Sequence, residues 1–241
     1  MTNNIKKLKE IENKIINIIK KIVLEILQTE KIEIKVTGKK DRVGASISSF
    51  LEEKFCEYVN KKYNEKLIDP KGAPKNKTKN PWDAQVYWKE DRYLIPVWID
   101  FKAINKNMED SNPDMGSADK IFNMIQQGVF LLLYVEVYYE IDEENKVVLD
   151  TKKIKVYFLH NISKTYRRTP TNQMQVNINE EPDLERNFDE FLDLHYKKLN
   201  ESYKRELEKI NKKLEKLPEK IKQTKHDFYK ILTNIFNNNS D

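Results

Sequence analysis

The sequence predicts a mixed α/β (α+β) fold, in which a mixed central sheet is flanked by helices and long helices are added at both ends. Apolar residues recur at helical spacing near both termini, and β-branched and aromatic runs fill the middle. The 241 residues are 39% hydrophobic and 10% aromatic, which is enough for a packed core. We expect an N-terminal amphipathic helix in residues 1–30, a core in 31–183 and a helical region in 184–241 that packs on the core or on a dimer partner.

The first part of the chain reads as two helices separated by a short strand. Isoleucine and leucine recur at three- and four-residue steps across residues 4–28, which predicts one amphipathic helix. Lys31–Thr37 alternates as a strand would, and a second helix is predicted from Ser46. Residues 71–80 are rich in Lys, Asn, Pro and Gly and predict a loop.

A β-hairpin is predicted next, formed by Asp83–Trp88 and Tyr93–Phe101 with a turn at residues 89–92. From residue 184 the pattern predicts a long helix that Pro218 should break or kink, followed by a second helical segment. The elements predicted between them are a polar loop (Asn105–Gly116), a helix (Ala118–Gln127), strands (Val129–Tyr139, Val147–Leu149, Lys153–Leu159), a basic loop (Thr165–Thr171) and a last strand (Gln173–Ile178).

Charge and cysteine content narrow the class of protein. The 44 Lys and Arg residues outnumber the 39 Asp and Glu residues, and this mild excess suits a nucleic-acid partner. A single cysteine excludes an internal disulfide and a cysteine-based zinc site. The N-terminus has no signal-peptide pattern, and the longest apolar run, Val129–Val135, is too short to span a bilayer. We therefore expect a cytoplasmic protein with no membrane partner.

The strongest chemical signal is an Asp-x-Lys motif at the end of a predicted strand. Asp100 and Lys102 follow the apolar run Leu94–Ile99, and strand alternation puts them on one face. Asp83 lies on the hairpin partner, so two carboxylates can converge beside the lysine. With the backbone carbonyl of Phe101 they form an oxygen donor set suited to Mg²⁺. Hydrolysis of a phosphodiester needs such a cation and an activated water, which Lys102 can orient.

Other interpretations of these residues stay open at this point. Acid-x-Lys is a short motif that occurs by chance in a chain rich in both residue types. Asp100 and Lys102 can equally form a salt bridge at the end of a hairpin. Glu52, on the predicted second helix, is a candidate third acid, and Glu53 is its alternative. Either can also be an ordinary surface residue of that helix.

Together these residues resemble the PD-(D/E)xK nucleases, and specifically type II restriction endonucleases of the HincII/EcoRV-like branch. The resemblance covers about residues 30 to 217 and implies a restriction-endonuclease-like core. Within it, residues 44–60 are similar to the first core helix, with Glu52 at the acidic position. The sequence departs from the family pattern because Trp82 precedes the first acid where the family has proline. The spacing from Asp83 to Asp100 is also long, so an extended hairpin turn is expected.

The resemblance implies a homodimer that hydrolyses double-stranded DNA at a short palindromic site with Mg²⁺. Blunt ends with 5′-phosphates and a cognate DNA methyltransferase as partner are implied as well. Two alternatives remain. One is a non-specific or structure-specific repair nuclease of the same fold. The other is a non-catalytic nucleic-acid-binding helical protein in which the motif is coincidental.

Candidate DNA-binding residues occur in three polar or basic segments. Arg pairs bidentately with guanine, and Asn or Gln with adenine, so these residue types can read base edges. Basic residues near residue 40 are better suited to phosphate contacts, which make binding salt-dependent. The candidates are Asn105, Lys106, Asn107, Arg167, Arg168, Asn172 and Gln173 for bases, and Lys40 and Arg42 for the backbone.

Overall fold

The central strand of the protein is β3 (Tyr93–Asn105), which lies in the middle of a five-stranded mixed sheet. The sheet has the order β1-β2-β3-β5-β6, and only the β3–β5 pair is parallel. This computed structural model describes residues 2–34, 36, 43–74, 82–107 and 112–237. The other strands of the sheet are β1 (Leu67–Gly72), β2 (Ala84–Glu90), β5 (Leu131–Ile141) and β6 (Val147–Phe158).

Two helices cover one face of this sheet. Helix α1 (Thr2–Thr29) packs against β6 and α2, and α2 (Val43–Tyr58) packs against β3 and β1. A π-helical turn, Val59–Tyr63, extends α2. The apolar stripe of α1 is completely buried at Ile15, Ile19, Ile22, Val23 and Ile26. Those side chains join one hydrophobic cluster with alternate residues of the central strands, so α1 is part of the core.

A second, smaller sheet has the order β4-β8-β7 and is antiparallel. Its strands are β4 (Asp114–Ser117), β7 (Arg167–Arg168) and β8 (Gln173–Gln175). Helix α3 (Lys120–Gln126) follows β4 almost directly, and a 3₁₀ turn (Leu159–Asn161) follows β6.

The last element is α4 (Phe188–Asn237), a helix of 50 residues. The chain divides into two compact units, Met1–Leu194 and His195–Asp241, and α4 begins in the first and continues through the second. Within the described residues, no helix combines the length and apolar character required to cross a bilayer. The division of the chain at residues 30 and 183 into an N-terminal helix, a core and a C-terminal helical region stays a prediction.

The predicted fold class is confirmed, because a mixed sheet flanked by helices is present. The hairpin is also confirmed, but its predicted extended turn is wrong. The turn contains only Asp91 and Arg92, and β2 pairs with β3 continuously from Ala84–Ile99 to Glu90–Tyr93. Asp91 adopts the left-handed backbone conformation of a tight turn, with a φ of 51°. The long spacing between Asp83 and Asp100 therefore lies in the strands.

Several element boundaries differ from the predictions. Lys31–Thr37 is not a strand in its described part, although Val36 and Ile34 each make one backbone bond to the β5–β6 turn region. Residues 71 and 72 end strand β1, and the two loops predicted after β3 and β6 contain β4 and β7. The strands predicted on either side of residues 150–152 are one strand, β6. The predicted break at Pro218 is wrong, because α4 continues through it.

Ile22→Ala tests whether α1 belongs to the hydrophobic core. Ile22 is fully buried in the main hydrophobic cluster, so truncation leaves a cavity that neighbouring side chains fill only partly. We expect a loss of about 2–4 kcal/mol in the free energy of unfolding, measured by urea denaturation. Lys20→Ala, on the exposed face of the same helix, is the control and should change stability by less than about 0.5 kcal/mol. Equal effects of both substitutions would contradict the packing of α1.

Candidate active site

The candidate site forms where β2 stops pairing with β3. The ladder between them ends at Ala84–Ile99, and just beyond it the amide of Asp83 donates to the carbonyl of Ile99 at 2.9 Å. The next backbone groups of β3 are bonded by side chains. The amide of Phe101 donates to Asp83 Oδ2 at 2.8 Å, and Ser48 Oγ donates to the carbonyl of Phe101 at 3.0 Å. Side chains from two other elements thus replace the missing strand.

Asp100 lies at the centre of the site with a lysine on each carboxylate oxygen. Lys102 Nζ is 2.8 Å from Oδ1, and Lys120 Nζ is 2.8 Å from Oδ2. The residue is only 6% exposed, so its charge has little access to water. A buried carboxylate requires such partners, because removing an unpaired charge from water costs several kcal/mol. The same-face placement of Asp100 and Lys102 predicted from strand alternation is present.

A cleft of about 410 Å³ brings four predicted residues together: Glu52, Asp83, Asp100 and Lys102 line it. Ser48 of α2 and Phe101 of β3 line it as well, joined by the bond from Ser48 Oγ to the Phe101 carbonyl. The carboxylate of Glu52 also lies against Gly72 at the end of β1, where any Cβ atom would overlap it. Glu53, the alternative acid, lines a neighbouring cleft that is shared with Glu52. Glu52 is therefore the α2 acid that faces the Asp–Lys cluster.

The two aspartates have pKa values shifted in opposite directions. Burial, followed by the nearby charge of Asp100, raises the pKa of Asp83 to about 6. Burial acts in the same sense on Asp100, but Lys102 and Lys120 outweigh it and hold its pKa below the ordinary value. Burial opposes the charged form of Lys102, whereas Asp100 favours it more strongly, and the pKa of Lys102 is raised. Near neutral pH, the salt-bridged Asp100 is thus charged, and Asp83 titrates closest to neutrality.

The donor set fits a hard divalent cation such as Mg²⁺. Asp83 and Asp100 supply carboxylate oxygens and Phe101 a carbonyl, and Mg²⁺ takes oxygen ligands while keeping several waters. Among the described residues, no group of three or more His, Cys, Asp or Glu side chains could hold a metal ion. The site therefore fits a water-rich ion with few protein ligands, and it does not fit a zinc ion held by three or four side chains. Both Asp100 oxygens bond to lysines, so a cation must share or replace those contacts.

Lys120 and Ser48 are the two site residues that the sequence did not reveal. Lys120 is 7% exposed, and its ammonium lies between Asp100 and the ring of Tyr134, 5.7 Å from the ring centroid. Gly116 allows this position, because its φ is +93° and a Cβ atom there would lie 2.6 Å from the Lys120 side chain. A glycine four residues before a lysine, in a segment following the motif, was the available signal. Ser48 lies on the predicted second helix and carried no signal of its own.

The site lies in a part of the chain that matches a known protein family. A model of the SwaI restriction endonuclease family, described as SwaI-like, matches residues 7–217 of the chain. That range includes every residue of the cleft. This chain belongs to the SwaI-like restriction endonuclease family. Among curated proteins, no sequence matches it significantly. Of the solved structures, NlaIV restriction endonuclease is similar at 16% identity with a TM-score of 0.43, covering 73% of this chain and 77% of that one.

Membership of the SwaI-like family supports the predicted resemblance to type II restriction endonucleases. The HincII/EcoRV-like branch is not confirmed by it. The structure places five predicted site residues in one cleft: Glu52, Asp83, Asp100, Phe101 and Lys102. Their catalytic and metal-binding roles stay predictions.

Four of the predicted DNA-binding residues of this SwaI-like endonuclease lie on the smaller sheet or its turn. Arg167 donates to Gln175 Oε1 from Nε at 3.1 Å and from Nη2 at 2.7 Å. Arg168 Nε donates to Asn172 Oδ1 at 2.6 Å, and Asn172 Nδ2 donates to Asp119 Oδ2 at 2.9 Å. The backbone of Gln173 pairs with Ser117 of β4. The basic and amide side chains of β7 and β8 are thus held in place by one another.

The other DNA-binding candidates follow β3 or precede α2. Asn105 Oδ1 accepts from the amide of Asn107 at 2.9 Å, which closes the turn after the strand. Lys106 Nζ is 2.6 Å from Asp150 Oδ2, so it has a structural partner of its own. Lys40 and Arg42 lie outside the described residues.

Asp83→Asn tests the charge balance of the site without DNA. A raised carboxyl pKa means that the folded state binds the proton more tightly than the unfolded chain does. The charge therefore destabilises the folded protein above pH 6, and this penalty disappears as the pH falls toward 4. Asparagine keeps an oxygen for the amide of Phe101. We expect the variant to be more stable than the wild type by about 1–3 kcal/mol at pH 8.

The measurement is urea unfolding in EDTA at pH 8 and at pH 4.5. The advantage of Asp83→Asn should shrink at the lower pH. A variant that is less stable than the wild type at pH 8 would show that the Asp83 charge is favourable in the folded site.

Proposed function

We propose that this protein is a type II restriction enzyme that hydrolyses both strands of DNA at a short palindromic site with Mg²⁺. The observation that carries the proposal is the cleft in which Asp83, Asp100 and Lys102 meet beside Glu52. Membership of the SwaI-like family supports sequence-specific cleavage of double-stranded DNA. The 5′-phosphate and blunt ends expected from the sequence are part of the proposal.

Each residue of the cleft has a defined task in this proposal. Asp83 and Asp100, with the carbonyl of Phe101, hold the cation at the open edge of β3. The bound cation supplies charge neutralisation for the phosphate and lowers the pKa of a coordinated water. Lys102 orients the attacking water and stabilises the negative charge that develops on the phosphorus oxygens. Glu52, on the α2 side, can bond a further water of the cation.

Lys120 has a positioning task that acts through Asp100. Its ammonium fixes Oδ2 of that carboxylate at 2.8 Å, while Lys102 contacts Oδ1. The two lysines compensate the charges of Asp83 and Asp100. A cation held by these carboxylates would compete with one lysine for Asp100, and we assign this competition to Lys120 because Lys102 is needed at the phosphate.

Recognition of a palindrome requires two identical reading surfaces, so we propose a homodimer in which each subunit cuts one strand. The smaller sheet is the proposed base-reading element. Its Arg167 and Arg168 are oriented by amide side chains, and such pre-ordering reduces the entropy lost on binding. Asn105, Lys106 and Asn107, together with Lys40 and Arg42, are proposed to contact DNA as well. A cognate DNA methyltransferase would protect the host sites.

Cleavage of plasmid DNA in Mg²⁺, followed by sequencing of the fragment ends, tests the function. We expect discrete fragments with blunt ends at one palindromic sequence. Lys102→Ala and Asp100→Asn should each lower the cleavage rate by at least about 100-fold, because the first removes a cation from the transition state and the second weakens binding of the divalent ion. Lys146→Ala, at an exposed lysine paired with Glu144, is the control and should cleave normally.

The alternatives give different outcomes in the same experiment. A ladder of products without defined ends would contradict sequence-specific cleavage and indicate a non-specific or structure-specific nuclease. Intact DNA with both Mg²⁺ and Mn²⁺ would leave only a non-catalytic nucleic-acid-binding protein.

Lys120→Met tests the positioning role through metal binding, apart from cleavage. Methionine keeps most of the length of the side chain and removes the cation next to Asp100, so the carboxylates attract a divalent ion more strongly. We expect Mn²⁺ to bind the DNA-free variant about 3- to 10-fold more tightly by isothermal titration calorimetry, while cleavage falls.

Lys120→Arg is the matched control, since it retains the charge and should bind Mn²⁺ about as the wild type does. Unchanged or weaker Mn²⁺ binding by Lys120→Met would refute competition between this lysine and the cation.

A further inference from the structure

Helix α4 carries a line of exposed side chains, apolar at every position but Thr224, in the second compact unit, His195–Asp241. Seven of its large residues are between 47% and 59% exposed, although each would be more stable out of water. With the exposed Thr224 they form what we call the heptad seam: Leu207, Ile210, Leu214, Leu217, Ile221, Thr224, Phe228 and Ile231.

The spacing of the heptad seam is that of a coiled coil. Its steps alternate strictly between three and four residues from Leu207 to Ile231, which is more than three heptads. An ordinary amphipathic helix has a wider apolar face with a period near 3.6, whereas a strict seven-residue repeat keeps a narrow seam against another helix. The seam therefore predicts a helical partner. Its apolar chemistry does not suit the phosphate backbone of DNA.

We propose that α4 pairs in an antiparallel manner with α4 of a second copy of this chain through the heptad seam. This rests on the homodimer in the proposed function and names the surface that joins its subunits. The seven exposed side chains, at roughly 90 Å² each, and the stems beside them offer on the order of 700 Å² per helix. That approaches the ~800 Å² per partner of a standard stable interface.

An antiparallel pairing places large side chains opposite one another in the seam and brings opposite charges together beside it. With the two-fold axis near Glu219, Leu207 meets Ile231, Ile210 meets Phe228, and Leu217 meets Ile221 of the second copy. Lys213 then lies beside Asp227 of the second copy on either side of the two-fold axis, which gives two opposite-charge pairs, while Lys220 lies beside Lys220 of the second copy, which gives one like-charge pair.

A parallel pairing of the two helices gives poorer charge and size complementarity. It would place Lys220 beside Lys225 twice and stack the two Phe228 rings at one level. Like charges at these flanking positions disfavour a pairing, and the parallel arrangement has two such pairs and no opposite-charge pair, so the antiparallel arrangement is preferred.

Sedimentation of the full-length protein without DNA tests the seam. We expect a dimer of the 28.8-kDa chain at micromolar concentration. The double variant Leu214→Glu with Ile221→Glu should weaken association at least 100-fold, because it places charges in the middle of the seam. Circular dichroism at 222 nm should show that the helical content is retained.

The matched control is His226→Glu with Tyr229→Glu, which adds the same charge at exposed positions of α4 outside the seam. It should remain dimeric. A seam variant that dimerises as tightly as the wild type would overturn this inference and leave the proposed homodimer to another surface. A monomeric wild type would also overturn the pairing through the heptad seam. The cleavage assays test the proposed function independently of this result.

Disulfide cross-linking tests the orientation even if the charged variants unfold. Native Cys56 is half-buried, and burial raises the pKa of its thiol to about 11, so Cys56→Ser is a mild background change. In that background, Leu207→Cys and Ile231→Cys should each stay uncross-linked alone under mild oxidation. A mixture of the two proteins should give a covalent dimer. Cross-linking of either single variant alone would overturn the antiparallel arrangement, and no product in any sample would overturn the pairing.

Discussion

The carboxylate of Asp100 is the group on which the rest of the site depends. It lies inside the protein on the central strand, and its charge is tolerated there because Lys102 and Lys120 each bond one of its oxygens. One lysine comes from the same strand and the other from α3, so the ion pairs join two elements. Placing a carboxylate at this depth therefore fixes where α3 must lie relative to β3.

The contrast with Glu136 shows how partners determine the state of a buried acid. Glu136 lies opposite Lys102 in the β3–β5 register and is equally buried, but its oxygens accept from the hydroxyls of Tyr138 and Tyr157. Burial outweighs these neutral donors and raises its pKa, whereas the lysines lower that of Asp100. The neighbouring acids thus differ in their electrostatics: the lysines keep Asp100 charged at the proposed cation site, whereas Glu136 bonds tyrosines of β5 and β6.

Residues linked by local periodicity could be predicted from the sequence, and residues linked by tertiary contacts could not. Strand alternation placed Asp100 beside Lys102, and the hairpin brought Asp83 near them, because both rules need only short stretches of chain. Lys120 reaches Asp100 from 20 residues away through a segment that was expected to be partly loop. No local sequence pattern predicts that the hydroxyl of Ser48 donates a hydrogen bond to the carbonyl of Phe101.

The short link between β4 and α3 connects the smaller sheet with the cluster around Asp100. Asp119 accepts from Asn172, which also holds Arg168, while the next residue, Lys120, bonds Asp100. Adjacent residues of one backbone thus contact the proposed base-reading sheet and the proposed cation site. The proposed base-reading sheet and the ion pairs of Asp100 are therefore joined through a single peptide unit, Asp119–Lys120.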